Sequence, residues 1–197
     1  MSFDLPSSIY EELHWDDGYR PNIGIVLTNR TGKVLWARRT NRDGWQFPQG
    51  GIKRDESLDD ALFRELYEEV GLENHQVSMI AHTSRWLRYD LPKCFLRRTR
   101  QRGNTRFRGQ KQIWCLLALR GDDSQVCLSA TRRPEFDKWI WADWWFAVQE
   151  IVDFKRPVYE SVWVELNPFV RAYMDFWFPE RKRAAGTAPS SKSGAPD

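Results

Sequence analysis

Two hydrophobic periods run through the chain, and the points where one gives way to the other outline its elements. Asn22 to Thr28 and Val34 to Arg39 are short runs rich in β-forming residues, with the tight-turn sequence Asn29 to Gly32 between them, which predicts a hairpin. The glycine- and proline-bearing stretch Trp45 to Gly51 interrupts this pattern and leads into a helix over about Leu58 to Val70. There Leu58, Leu62, Leu66 and Val70 recur along one drifting stripe, Ser57 is placed to cap the start, and Gly71 occupies the usual stop position. Further strands are expected at Val77 to Leu87, Gln112 to Leu119 and Lys138 to Trp141. A last long helix is expected from near Pro157, with Val158, Val162, Leu166, Val170 and Met174 on one face. Strand, glycine loop and helix followed by more strands and a helix predict an α/β sandwich.

A polar lead, residues 1–16, precedes this pattern as an amino-terminal extension, and residues 17–178 read as one domain. Pro179 to Asp197 has no apolar period and is dominated by Gly, Ser, Pro, Ala and Lys, as expected of a disordered tail. Length fits that division, since 197 residues suffice for one core and a tail. No run of eighteen apolar residues occurs, and the acids Asp4, Glu11, Glu12, Asp16 and Asp17 leave no room for a secretory signal, so neither membrane partner nor export is expected. Cys94, Cys115 and Cys127 are odd in number and share no short paired spacing with His14, His75 and His82, which points to the reducing cytoplasm and away from zinc. Eleven tryptophans exceed ordinary usage; core packing takes most such residues, and base stacking is a second use.

The chemistry begins on the first long helix. Glu65 and Glu69 fall within its apolar stripe, and Glu68 lies one turn from Glu65 and beside Glu69. Like-charged carboxylates repel, and partial burial penalises their charge, so the cluster makes sense when divalent cations compensate it. Oxygen-only ligation favours Mg²⁺ or Mn²⁺. Arg64 is near enough to orient a carboxylate from outside the ligand set. Taken alone, the same residues would read as a solvated acidic face with Arg54 and Arg64 as incidental partners.

Context decides between the two. Five residues separate Gly50 from Glu56, seven more separate Glu56 from Arg64, and Glu65, Leu66, Glu68, Glu69, Gly71 and Leu72 follow in order. This segment resembles the Nudix box at every position, in its loop, helix and turn context. The resemblance implies a Nudix fold, a mixed β-sheet sandwiched between helices, and hydrolysis of a nucleoside diphosphate linked to another group. It further implies that Glu65 and Glu69 ligate more than one divalent ion and that Glu68 is a ligand or the base that deprotonates water. Glu56 becomes a more distant helper, while Gly50 and Gly51 shape the loop that lies against the metals.

The resemblance extends outside the box. Asp17-Gly18-Tyr19-Arg20-Pro21-Asn22, Trp36-Ala37-Arg38-Arg39, Trp45-Gln46-Phe47-Pro48-Gln49-Gly50-Gly51, Gly109-Gln110-Lys111-Gln112, Pro134-Glu135-Phe136-Asp137 and Phe154-Lys155-Arg156 resemble blocks of the bacterial RNA 5′ pyrophosphohydrolase family. In that family a 5′-triphosphate or diphosphate end of RNA becomes a monophosphate, which opens the transcript to decay. The resemblance implies that Arg20 and Lys155 meet the 5′ phosphates, that Arg39 and Phe154 sandwich a base, and that Glu135 adds a carboxylate near the metals. Outside these blocks Phe154 would read as core, and Arg20, Arg39, Lys155 and Glu135 as surface. A dinucleoside polyphosphate hydrolase shares the box and the fold, and a binding module that had lost catalysis would share the fold; the complete set Arg64, Glu65, Glu68 and Glu69 speaks against the latter. The chain departs from the family pattern in three places, a longer amino terminus, the polar tail after Pro179 and the segment Arg85 to Lys111; the last carries ten Lys or Arg against one acid, Asp90, and reads either as a phosphate-tracking surface or as a solubilising loop.

Overall fold

The computed structural model describes residues 5–40, 43–96 and 107–179. Its element order is α1 (Ser7–Glu11), β1 (Tyr19–Thr28), β2 (Val34–Arg39), β3 (Trp45–Gln46), β4 (Gln49–Gly51), α2 (Leu58–Val70), β5 (Val77–His82), β6 (Leu87–Asp90), β7 (Gly109–Leu119), β8 (Phe136–Ala142), α3 (Trp144–Glu150) and α4 (Arg156–Trp177). One mixed sheet runs β3-β2-β1-β7-β5, with β4 paired to β1, β6 to β7 and β8 to β2.

Strand alternation assigns its two faces. Ile23, Ile25 and Leu27 of β1 and Ile113, Cys115 and Leu117 of β7 point to one side, where Leu58, Leu62, Leu66 and Val70 of α2 cover them. Val26, Trp114 and Leu116 point to the other, against Val158, Val162, Leu166 and Val170 of α4. Gly24 belongs to this second face, and a Cβ there would lie 2.4 Å from the Trp114 ring, so the glycine makes room for the indole. The α/β sandwich expected from the sequence is therefore present.

Three local expectations change. The β1–β2 hairpin closes only at its base, Thr28 opposite Val34, because β1 gives its remaining edge to β4 at residues 22–24 and its other edge to a ten-residue parallel ladder with β7. The strand expected over Val77 to Leu87 breaks into β5 and β6 at Thr83, whose N–H donates to Trp114 O and whose hydroxyl accepts from Trp114 N. The short helix α3, which buries Trp144, Ala147 and Val148, was not expected; its seven residues give no extended helical period.

The described part of the amino-terminal lead, residues 5–16, is packed against the domain. Leu5 and Ile9 are buried in the α2-side core, and the Trp86 indole donates to Ile9 O. Lys111 completes the attachment and so leaves the basic surface to which the sequence reading assigned it. Fully buried, its Nζ donates to Asp17 Oδ2 at 2.9 Å and Glu12 O at 2.7 Å. Arg88 is likewise paired, with Glu12 and Asp17. Arg97, Arg98, Arg100, Arg102 and Arg106 of the basic segment, and the tail from residue 180, lie outside the described residues. Lys111→Met should lower stability by about 2 kcal/mol, since it removes the charged donor that joins Asp17 to Glu12 O. Urea unfolding monitored by tryptophan fluorescence measures this, and an unchanged midpoint would show that the lead is not held through Lys111.

Candidate active site

The site is assembled where β4 meets α2. Gly50 pairs with Ile23 in the sheet, and a Cβ on it would fall 1.8 Å from Glu65 Cδ, so the missing side chain lets the loop and the carboxylate helix touch. Gly51 does the same for Arg20, whose Nη2 lies 2.0 Å from where a Cβ would be. Ser57 caps α2 by accepting from Asp60 N, and Gly71 ends it in the left-handed region at φ 71°. A Cβ on Gly71 would sit 2.5 Å from Cys127 O. Fixed at both ends, α2 presents Glu65 and Glu69 from its buried side and Glu68 from its exposed edge.

Arg64 is the hub beneath these acids. Its Nε donates to Glu56 Oε1 at 2.5 Å and its Nη2 to Glu56 Oε2 at 2.8 Å and Gly51 O at 2.9 Å. Nη1 donates to Glu65 Oε1 at 2.6 Å and reaches Glu68 Oε2 at 3.3 Å. The bidentate pair holds Glu56 below its ordinary pKa and Arg64 above its own. Glu56 thereby also caps the loop, accepting from Lys53 N.

Glu69 is the least compensated group. It is 2% exposed; Oε2 accepts from Gln49 N at 2.7 Å, whereas buried Oε1 has no hydrogen-bond partner. Burial first, then the neighbouring carboxylates of Glu135 and Glu65, push its pKa well above 4.5. Glu65 is raised too, chiefly by burial and against the pull of Arg64. A buried, orphaned carboxylate oxygen within an all-oxygen donor set fits Mg²⁺ or Mn²⁺. Glu65, Glu68, Glu69 and Glu135 form one acidic wall, although among the described residues no three acidic, histidine or cysteine side chains close on one ligation point.

That wall belongs to a cavity of about 380 Å³. Glu65, Glu68 and Glu135 line it together with Arg20, Arg39, Phe154 and Lys155, so every substrate-facing position expected from the sequence opens on the same space. Lys155 is 8% exposed and donates to Gln46 Oε1 at 3.1 Å. Burial and the charge of Arg39 lower its pKa to about 7, against the opposing pull of Glu69 and Glu135. Phe154 is half-buried, with ring centroids 5.8 Å from Tyr89 and 5.5 Å from Phe95, and it also lines, with Arg39, an adjoining cavity of about 310 Å³.

Sequence reading gave no role to a row of glutamines in this cavity. Gln112 Nε2 donates to Gln49 Oε1 at 2.7 Å, Gln49 Nε2 donates to Gln46 Oε1 at 3.1 Å, and Gln46 receives Lys155. Since Gln49 N also holds Glu69, the row ties Lys155 to Glu69. Polar residues inside otherwise apolar strands were the available signal.

A model of the NUDIX domain matches residues 18–166. The chain belongs to the Nudix family. The chain is 49% identical over 172 residues to a protein named RNA pyrophosphohydrolase from Methylococcus capsulatus, covering 87% of this chain and 88% of that one. A protein of the same name from a Marinomonas strain is 52% identical over 77% of this chain and 92% of its own length. Among solved structures, the E. coli dihydroneopterin triphosphate pyrophosphohydrolase superposes with a TM-score of 0.56 at 21% identity, over 73% of this chain and 95% of that one. An Ap4A hydrolase complex from C. elegans gives 0.51 at 17% identity, over 80% and 97%. These structural likenesses establish the Nudix fold, a mixed sheet between helices, and nothing finer.

Proposed function

We propose that this Nudix protein is an RNA 5′ pyrophosphohydrolase, converting 5′-triphosphate or diphosphate ends to 5′-monophosphate and so initiating mRNA decay. One observation carries the reading: a single cavity joins four basic or aromatic groups suited to a phosphorylated nucleotide to the carboxylates of the Nudix helix. The names of the relatives, at about half identity over most of both chains, agree with it.

Glu65, Glu68, Glu69 and Glu135 would hold Mg²⁺ or Mn²⁺, more than one ion, which would supply neutralisation of phosphate oxygens and a lowered pKa of water. Arg64 keeps Glu65 in place through Glu56 and Gly51 O. Glu68, on the exposed edge, has the freedom to serve either as ligand or as the base that accepts the water proton. Arg20 and Lys155 bind the 5′ phosphates, and a phosphate beside Lys155 favours its protonated form. Arg39 and Phe154 clamp an unstacked base between a guanidinium plane and a ring. Among the described residues no helix is long and apolar enough to cross a membrane, and Cys94, Cys115 and Cys127 are free thiols, in keeping with work in the cytoplasm.

The test is an end-labelled RNA bearing a 5′-triphosphate, incubated with Mg²⁺ or with chelator. Conversion to a 5′-monophosphate only with metal is expected; no conversion in Mg²⁺ or Mn²⁺ would overturn the proposal.

A further inference from the structure

The acidic wall has a second side. A second cavity of about 340 Å³ is lined by Glu65, Glu68, Glu69 and Glu135 together with Thr131, Arg132 and Arg133. Glu65, Glu68 and Glu135 border both cavities, so the carboxylates form the partition between them. None of Arg20, Arg39, Phe154 and Lys155 reaches the second space, and neither Arg132 nor Arg133 reaches the first.

Both arginines are exposed and lie in the bend that carries the chain toward β8. Among the described residues neither makes a hydrogen bond or an ion pair, although four acids line the same cavity. A guanidinium recruited to neutralise the acids would be paired with them, as Arg64 is. Two unpaired guanidiniums in a cavity shared with acids that fit cations instead complete a site for an anion.

The reaction supplies such an anion. Water adds its oxygen to one phosphorus as the phosphoanhydride P–O bond breaks, one of its protons passes to a carboxylate base, the electron pair of the broken bond stays on the departing phosphate oxygen, and two phosphorylated fragments separate. The fragment that bears RNA stays with the base clamp of the first cavity. From this partition, and resting on the reading of the protein as an RNA pyrophosphohydrolase, we infer that Arg132 and Arg133 form the subsite for the released inorganic phosphate or pyrophosphate. The terminal phosphates of the substrate occupy it before cleavage, and the product leaves through it.

The experiment compares wild type with the double variant R132Q/R133Q. Three quantities are measured: inhibition of RNA hydrolysis by inorganic pyrophosphate and by inorganic phosphate, calorimetric binding of the same two ions in Mg²⁺ buffer, and affinity for 5′-monophosphorylated RNA. The inhibition and dissociation constants for the inorganic ions should rise about tenfold or more in the variant, since two charged contacts are lost, with 5′-monophosphorylated RNA held within about twofold. R132K/R133K should recover part of the anion affinity, which a purely structural role would not produce. Unchanged constants for both ions in an active enzyme would overturn the inference and leave the proposed function standing. Weaker binding of 5′-monophosphorylated RNA with unchanged ion constants would overturn it in favour of arginines that hold the RNA chain. Arginine-dependent ion binding in a wild type that never hydrolyses RNA would instead keep the anion site and remove the proposed function.

Discussion

Glu69→Gln is expected to lower kcat on the order of a thousandfold with the fold retained, because loss of one ligand charge removes several kcal/mol of transition-state stabilisation and each 1.36 kcal/mol is a factor of ten. Its neutral amide keeps the shape of the side chain and can still accept from Gln49 N, so α2 and β4 remain joined. Stability should reveal the same carboxylate by an independent route. The folded-state pKa of Glu69 is raised, so the stability it contributes is fully present below the ordinary carboxylate pKa and is lost as pH rises through the raised value. In chelator, the wild type should therefore lose melting temperature as pH increases from 4.5, and Glu69→Gln should lose less; some slope remains because Glu65 is raised in the same direction. Addition of Mg²⁺ should raise the melting temperature of wild type more than that of the variant. Near wild-type turnover in saturating Mg²⁺ would end the assignment of Glu69 to the metals.

Phe154→Ala should lower kcat/KM on 5′-triphosphorylated RNA by roughly ten- to a hundredfold, the range set by loss of one base–aromatic stack. The ring is half-buried, and its neighbours Tyr89 and Phe95 are themselves held from other elements, so truncation opens the clamp without dismantling the core. A short dinucleoside polyphosphate can place its phosphates beside the carboxylates without a nucleotide beyond the 5′ end, and its kcat/KM should fall much less. Binding energy from a remote base appears in capture and cleavage only for the substrate that has the base. Parallel loss on both substrates would mean that Phe154 supports the cavity rather than reading RNA.

What the sequence made legible follows from how local each signal is. Helix α2, its Ser57 cap, its Gly71 stop and the burial of Glu65 and Glu69 are properties of one continuous segment, and period, capping chemistry and motif agree there. The pairing of β1 with β7 is different, because it joins segments some ninety residues apart, Tyr19 with Gly109 at one end, and no local pattern encodes it. Lys111 shows the same limit in a single residue. In a basic run it reads as a surface charge, and only the fold brings Asp17 and Glu12 O to its Nζ. The glutamine row Gln112, Gln49 and Gln46 was missed for a related reason, since its hydrogen bonds link three strands. At the site, the Nudix box and the flanking blocks led to the acids, Arg20, Arg39, Phe154 and Lys155; Arg132 and Arg133 gave no signal, because an exposed arginine pair acquires meaning only from the cavity it faces.

The most direct test of the account is a side-by-side measurement of kcat/KM for 5′-triphosphorylated RNA and for diadenosine tetraphosphate, with wild-type protein in one Mg²⁺ buffer. The phosphate contacts of Arg20 and Lys155 together with the base clamp of Arg39 and Phe154 predict a preference for RNA of at least about tenfold. Equal or better use of the dinucleoside would contradict the account and assign this Nudix protein to dinucleoside polyphosphate hydrolysis.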